Sequence, residues 1–236
     1  MDTAERLRRI AVAAADEVRD GMLLGLGTGS TAGAVIRELG SRVAQGLRVE
    51  GVSTSRGTEA LAREVGIPLR SLDDVERLDL GIDGADEIDP DLDLIKGGGA
   101  ALLVEKLVAL ACDDYLVVAA AEKRSPALGT RFKLPIEVVP VGWSHTAERL
   151  RRLGFGLEPA LRETGGEPVR TDTGHFLLDC ATAPIADPAT LGAAIKAVTG
   201  VVDHGLFVGL AHRVLLVEPD GALVRLSRHS NGLRSS

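Results

Sequence analysis

Short apolar runs that alternate with helical stretches and end in glycine-rich turns constrain this chain more than any other feature. Met22–Leu26 closes in Gly25-Leu26-Gly27-Thr28-Gly29-Ser30-Thr31 and leads to a helical stretch over Ala32–Leu39. Leu47–Val52 is a second strand, followed by a helix from Thr58 to Val65. Leu78–Ile82 is a third, closing in an acidic run from Asp83 to Asp89. Lys96-Gly97-Gly98-Gly99 feeds a helix that runs to Ala111, and Tyr115–Ala121 is a fourth strand. Such alternation predicts an α/β chain with a mostly parallel sheet covered by helices on both faces. The first eighteen residues, with Leu7, Ile10, Ala11, Ala14 and Val18 at helical spacing, add an amphipathic surface helix.

The pattern changes after Leu128. Ile136–Pro140 reads as a strand, Thr146–Leu153 as a helix, Val169–Arg170 and Phe176–Asp179 as a strand pair, and Pro188–Val198 as a helix. That mixture predicts a smaller α+β domain over residues 131–205. Leu206–Leu210 and Val214–Glu218, with a turn at Asp220-Gly221, are expected to rejoin the first sheet. The larger domain is then 1–130 plus 206–236.

Composition narrows the function classes. The 236 residues are 45% hydrophobic and 26% charged, which suits a packed core and argues against disorder. A net charge of −7 argues against a nucleic-acid partner, so an anionic ligand must be drawn by local donors. Cys112 and Cys180 lack any paired spacing, which fits a reducing compartment without disulfide or zinc. The N-terminus has no apolar leader core, and apolar stretches reach only about seven residues, far below the ~20 of a membrane span. These readings predict a cytoplasmic protein with no membrane partner.

Four segments carry chemistry. In the first turn, glycines expose backbone N–H groups at a helix start, and Thr28, Gly29, Ser30 and Thr31 offer donors to a phosphate. Serine stands where a dinucleotide fingerprint needs its third glycine, and a Walker loop would need a lysine. A tight turn with a hydroxyl cap is the alternative. The second segment, Asp83-Gly84-Ala85-Asp86, leaves the carboxyl edge of the third strand, where α/β folds build their sites. Its acids suit hydroxyl binding and proton transfer; a solvated loop or a metal site are the alternatives, though the spacing matches no calcium loop.

The third segment sets Lys96 beside the N–H groups of Gly97, Gly98 and Gly99, the donors a developing oxyanion needs. Glu105 is the only acid in the helix that follows, which is apolar nearly all round and expected to be buried. A carboxylate there gains a raised pKa suited to a general base. Otherwise Glu105 and Lys106 mark a narrow solvent stripe. The fourth segment, Glu122-Lys123-Arg124, places Lys123 at another strand end, either against a phosphate or as ordinary surface charge. Taken together, the four turns share one rim of a parallel sheet and supply phosphate donors, acids, a cation and a base. No serine or cysteine pairs with a histidine. The inventory favours proton transfer beside a carbonyl in a small sugar phosphate, without metal or nucleotide cofactor.

GLGTGST, STSRGTEALA, GIDGADEID, KGGGAALLVEK, EKRS, RFKLPIEVVP and GVVDHGLF, in this order, closely resemble ribose-5-phosphate isomerase of the A type. The resemblance implies a Rossmann-like main domain with a smaller α+β domain. It also implies interconversion of D-ribose 5-phosphate and D-ribulose 5-phosphate in the non-oxidative pentose phosphate pathway, by a homodimer or homotetramer. By the same resemblance, Glu105 is the proton-transferring base and Asp83 the acid of ring opening, with Asp86 its companion. Lys96 then stands beside the reacting oxygens, Gly97–Gly99 line the site, and Thr28–Thr31 and Lys123 bind substrate. Two departures stand out: His175 replaces a frequent Asn, and the first helix carries Arg6, Arg8 and Arg9 where some members offer a phosphate-binding lysine. Rival readings on this fold are an amino-sugar-phosphate deaminase, a CoA transferase, a nucleotide-binding domain, or a sugar-phosphate sensor, which would need a DNA-binding module.

Overall fold

A computed structural model describes residues 1–228; residues 229–236, assigned above to the larger domain, lie outside the described residues. The chain opens with α1 (Thr3–Ala15), β1 (Leu23–Leu26), α2 (Ser30–Ala44), β2 (Glu50–Ser53) and α3 (Arg56–Glu64). Next come β3 (Leu80–Asp83), β4 (Glu87–Ile88), β5 (Leu94–Ile95), α4 (Leu102–Ala111), β6 (Tyr115–Ala120) and β7 (Leu134–Val138). The remainder is α5 (Trp143–Arg151), β8 (Glu158–Leu161), β9 (Glu163–Thr164), β10 (Glu167–Pro168), β11 (Phe176–Ala181) and α6 (Pro188–Lys196), then β12 (Val201–His204), β13 (Leu206–Phe207), β14 (Arg213–Val217) and β15 (Leu223–Ser227). Among the described residues, no helix is long and apolar enough to cross a membrane.

Six strands form the main sheet in the order β15-β14-β6-β3-β1-β2, parallel throughout except for the β14–β15 hairpin. The period-two pattern of β6 shows how both faces are covered. Leu116 and Val118 pack with Ile10, Ala14, Val35 and Leu39 of α1 and α2. Tyr115, Val117 and Ala119 point the other way, into a core with Ala109 of α4 and Phe207 of β13. Each such large side chain contributes roughly 1.5–3 kcal/mol by leaving water. From β1 the chain passes to β2 on one side, then returns to β3 on the other. The order therefore reverses between β1 and β3, and a crevice opens there at the carboxyl ends of the strands.

A second, antiparallel sheet runs β12-β7-β11-β8 and packs Leu134, Ile136, Leu178 and Cys180 against Ala147 and Leu150 of α5 and Leu191 and Ile195 of α6. A three-stranded sheet, β13-β5-β4, carries the chain toward the crevice, and β9 and β10 form a small hairpin.

The α/β class, the parallel sheet and the first four strands stand where the alternation put them, with β2 shifted to Glu50–Ser53. Other elements differ. Leu206–Phe207 does not rejoin the main sheet but pairs antiparallel with β5; only β14 and β15 return. Val169–Arg170 makes no strand beyond one bridge from Arg170 to Phe176, because β11 is taken by β7 on one side and β8 on the other. Nor is α4 buried all round: Leu107 and Leu110 are exposed while Glu105 faces inward.

Candidate active site

At the end of β1, a Cβ on Gly27 would collide with Asp83 of the neighbouring strand, so only glycine lets the two strand ends close together. Gly29 then caps α2 at φ 110°, a left-handed conformation natural to glycine. The turn thereby delivers Ser30 and Thr31 to the first turn of a fifteen-residue helix, where N–H groups lack intrahelical acceptors and the dipole favours an anion. Thr28 is held from behind. Its hydroxyl lies 2.7 Å from that of Thr54, 2.9 Å from Ser55 Oγ and 3.0 Å from that of Thr58. The STSRGT segment therefore braces the turn.

Asp83 ends β3 and is fully buried. Its Oδ1 accepts from the N–H groups of Thr28 (3.0 Å) and Gly84 (2.7 Å), and its Oδ2 from the Tyr115 hydroxyl (3.1 Å). Lys96 Nζ lies 3.2 Å from the same Oδ2 and donates to the Gly84 carbonyl at 2.6 Å. Both oxygens of Asp83 are thus covered by donors. The acidic run is no solvated loop. Asp86 accepts from Gly98 N–H at 2.7 Å, and buried Glu87 accepts from the N–H groups of Gly129, Thr130, Arg131 and Phe132.

Lys96 is 2% exposed and reaches Glu105 Oε1 at 3.2 Å. The other oxygen of Glu105, Oε2, is buried and has no hydrogen-bond partner. Burial pushes the Glu105 carboxyl up to about 8; Lys96 opposes the shift, and Asp83 and Asp86 reinforce it. For Lys96, burial works against the charge, yet Asp83, Glu105 and Asp86 outweigh it and raise its pKa above the usual lysine range. One ammonium serves three carboxylates. At Glu105 burial outweighs that ammonium and leaves the carboxyl more basic than an ordinary glutamate.

Thr28, Gly29, Ser30 and Thr31, Gly84, Ala85 and Asp86, Lys96, Gly97 and Gly99, Glu105 and Lys123 line one cleft of about 120 Å³. Of the residues singled out from sequence, Asp83 and Gly98 stand just behind its wall. Arg6, Arg8 and Arg9 do not line it: Arg6 forks onto Glu122 at 2.8 and 2.6 Å beside Lys123, while Arg8 and Arg9 pair with Glu5. His175 lies apart, with Nδ1 2.9 Å from buried Glu137. Among the described residues, no group of three His, Cys, Asp or Glu side chains gathers to hold a metal. Sequence reasoning missed Tyr115, whose hydroxyl braces Asp83, and Arg162, the residue after β8, which donates to the carbonyls of Gly97 and Gly98. An aromatic inside an apolar strand and a lone arginine carry no local signal.

The chain is similar to known proteins along most of its length. The family model described as Ribose 5-phosphate isomerase A (phosphoriboisomerase A) matches residues 50–221. Ribose-5-phosphate isomerase A of Caulobacter vibrioides is 51% identical over 96% of this chain and 99% of its own length. That of Chloroflexus aurantiacus is 49% identical over 93% and 92%. Among solved structures, ribose 5-phosphate isomerase from Plasmodium falciparum superposes with a TM-score of 0.91 at 36% identity, covering 94% of this chain and 98% of its own. A D-ribose-5-phosphate isomerase in complex with phospho-erythronic acid superposes with a TM-score of 0.92 at 35% identity, covering 97% and 100%.

Proposed function

The chain belongs to the ribose 5-phosphate isomerase A family and is an aldose–ketose isomerase of ribose 5-phosphate and ribulose 5-phosphate, and from that premise we propose that Glu105 is the base that moves the proton between C1 and C2. One observation carries the assignment: Glu105 Oε2 is buried, unpartnered and on an acid lining the cleft, while Oε1 is tethered to Lys96.

The phosphate sits at the start of α2, against the N–H and hydroxyl donors of Ser30 and Thr31 and the backbone of Gly29, with Lys123 closing from the opposite rim. Held there, it acts as a remote handle that fixes the reacting carbons. Glu105 Oε2 takes the proton from C2 of the open-chain aldose. The electron pair forms the C1–C2 double bond of an enediolate, whose oxygens face the Lys96 ammonium and the glycine turn. Glu105 then returns the proton to C1. Lys96 gives a proton to O1 and takes one from O2, which balances the conversion of aldehyde to ketone. Asp86 keeps Oδ1 for a sugar hydroxyl. Asp83, read from the resemblance as the acid of ring opening, is assigned instead to holding Lys96 and Thr28, since its oxygens are already occupied. The phospho-erythronic acid held by the related enzyme supports this reading, because a carboxylate beside the chain imitates the enediolate.

The reaction needs neither metal nor nucleotide, so activity persists in EDTA. The same reading includes a catalytic unit of 1–130 plus 206–236, a smaller unit of 131–205, a cytoplasmic location, and a homodimer or homotetramer. Exposed Leu110 and Val141 support an oligomer. The deciding experiment follows ribose 5-phosphate in deuterium oxide with wild type and Glu105→Gln. Wild type is expected to incorporate deuterium at C1 of the ketose, and the variant to lose about 10²–10⁴ in turnover with KM retained. A variant that keeps its turnover would overturn the assignment.

A further inference from the structure

We infer that Arg162, the residue that follows β8 of the second sheet, is a positioning residue for the isomerisation: it turns the glycine loop so that the Gly99 N–H faces the reacting oxygens. The inference rests on the reading of Lys96 and the glycine turn as the oxyanion donors for a proton moved by Glu105.

Arg162 Nη1 donates to the carbonyl of Gly97 at 2.9 Å and to that of Gly98 at 3.2 Å. In a trans peptide, the C=O and the following N–H point in opposite directions. The first of these peptides displays the rule: its carbonyl meets Arg162, while its N–H, on Gly98, meets Asp86 at 2.7 Å on the other side. The second peptide has its carbonyl on Arg162 as well. Its N–H, on Gly99, must therefore face away from the arginine, and Gly99 lines the cleft with Lys96 and Glu105.

The clamp is built to hold. Arg162 forks onto Asp179 of β11, with Nε to Oδ2 at 2.9 Å and Nη2 to Oδ1 at 2.5 Å, and its side chain is only 15% exposed. Bidentate guanidinium–carboxylate pairs fix direction as well as distance. The turn needs such a constraint. Three consecutive glycines have the widest backbone freedom of any tripeptide. Yet Gly97 sits at φ 106° and Ala100 at φ 61°, the latter a left-handed conformation costly for alanine. A charged donor on the carbonyl also polarises the peptide, making its N–H a stronger donor. The second sheet thus takes part in the chemistry without touching the substrate.

The test uses Arg162→Lys and Asp179→Asn beside Glu105→Gln, in the full-length enzyme. Two inhibitors separate the regions: inorganic phosphate reports the α2 site, and 5-phospho-D-ribonate, with a carboxylate at C1, reports the enediolate site. Lysine cannot hold Asp179 bidentately and two carbonyls at once. Arg162→Lys is expected to lower kcat about 10- to 100-fold, below or at the usual loss of one oxyanion donor. KM and phosphate affinity should stay within about threefold, and 5-phospho-D-ribonate affinity should fall in parallel with kcat/KM. Asp179→Asn should show the same separation with a smaller factor, and it carries the test if the lysine variant does not fold. Unchanged kcat in the folded variants, or phosphate and phosphoribonate affinities falling together, would overturn the inference. If Glu105→Gln keeps its turnover, the base reading fails instead; if only Glu105→Gln loses activity, the clamp alone is wrong.

Discussion

The ammonium of Lys96 stands 3.2 Å from one carboxylate oxygen of Glu105 and leaves the other buried without a partner. A carboxylate tethered by one oxygen keeps its direction, while the free oxygen has no hydrogen bond to give up before it takes a proton. Because Lys96 also faces Asp83, its charge is divided, and Glu105 remains more basic than a simple ion pair would make it.

That basicity predicts the pH profile. A base must be deprotonated, so kcat/KM for ribose 5-phosphate should rise with slope one toward a plateau beyond about pH 8, the value to which burial lifts Glu105. Asp83 pushes the same pKa up, so Asp83→Asn should move this limb to lower pH while reducing the plateau about tenfold through the loosened Lys96. Initial rates from pH 5 to 10 decide it. A limb that stays in place in Asp83→Asn would contradict the coupling.

The same shift has a stability consequence of opposite sign. With the folded pKa raised from the ordinary 4.5 to about 8, the native state binds more protons than the unfolded chain between those values. Stability from this group is therefore present below about pH 4.5 and lost as pH rises through 8. Glu105→Gln removes the loss, so its Tm should exceed wild type by a few degrees at pH 8, with the gain shrinking toward pH 5. Calorimetry across that range checks it, and a variant less stable at every pH would refute it.

Lys123 tests the phosphate handle. It lines the cleft with Ser30 and Thr31, on the far side from Glu105 in sequence, at the end of β6. Removing a point charge that binds substrate and transition state alike raises KM and spares kcat. Lys123→Ala should raise KM about tenfold and weaken phosphate inhibition by the same factor, with kcat within about threefold. Steady-state kinetics at two ionic strengths would show it; a collapse of kcat with KM unchanged would place Lys123 at the chemistry.

What could be read from the chain and what could not follow a physical line. Thr28–Thr31, Lys96–Gly99 and Glu105 were legible because each owes its role to a turn or helix start within a few residues of it. Parallel pairing then brings the ends of β1, β3 and β6 to one rim whatever the details. Asp83 was found, but its saturation was not, since Tyr115 reaches it from the neighbouring strand. Arg162 was silent because the carbonyls it holds lie 65 and 64 residues away, in the glycine turn after β5. The α4 helix inverted expectation. Its charged Glu105 is inside and Leu107 and Leu110 are outside, so apolar content alone could not say which stripe faced the cleft. Leu206–Phe207 went to β5 because Gly205 lies against Lys96 and Pro135, and its N–H is taken by the Pro135 carbonyl.

Glu87 shows how neighbouring acids of one run take different surroundings. Asp86 lines the cleft and Asp83 stands behind its wall, whereas Glu87 gathers four N–H groups, from Gly129 at 2.9 Å to Phe132 at 3.3 Å. Those donors belong to the segment that leads into β7, so the carboxylate ties the three-stranded sheet, through β4, to the second one. Glu87→Gln keeps the size but replaces an acceptor oxygen with an NH₂ group, which must face donors already aimed at it. Leaving one or two buried N–H groups unsatisfied costs about 1–3 kcal/mol each, and charged acceptors are worth more. The variant should therefore lose about 2–4 kcal/mol in urea unfolding. Turnover per folded molecule at low temperature should fall less than about threefold, since the residue touches nothing in the cleft. A loss of turnover that outran the loss of folded protein would mean that the β7 segment, too, is coupled to the reacting carbons.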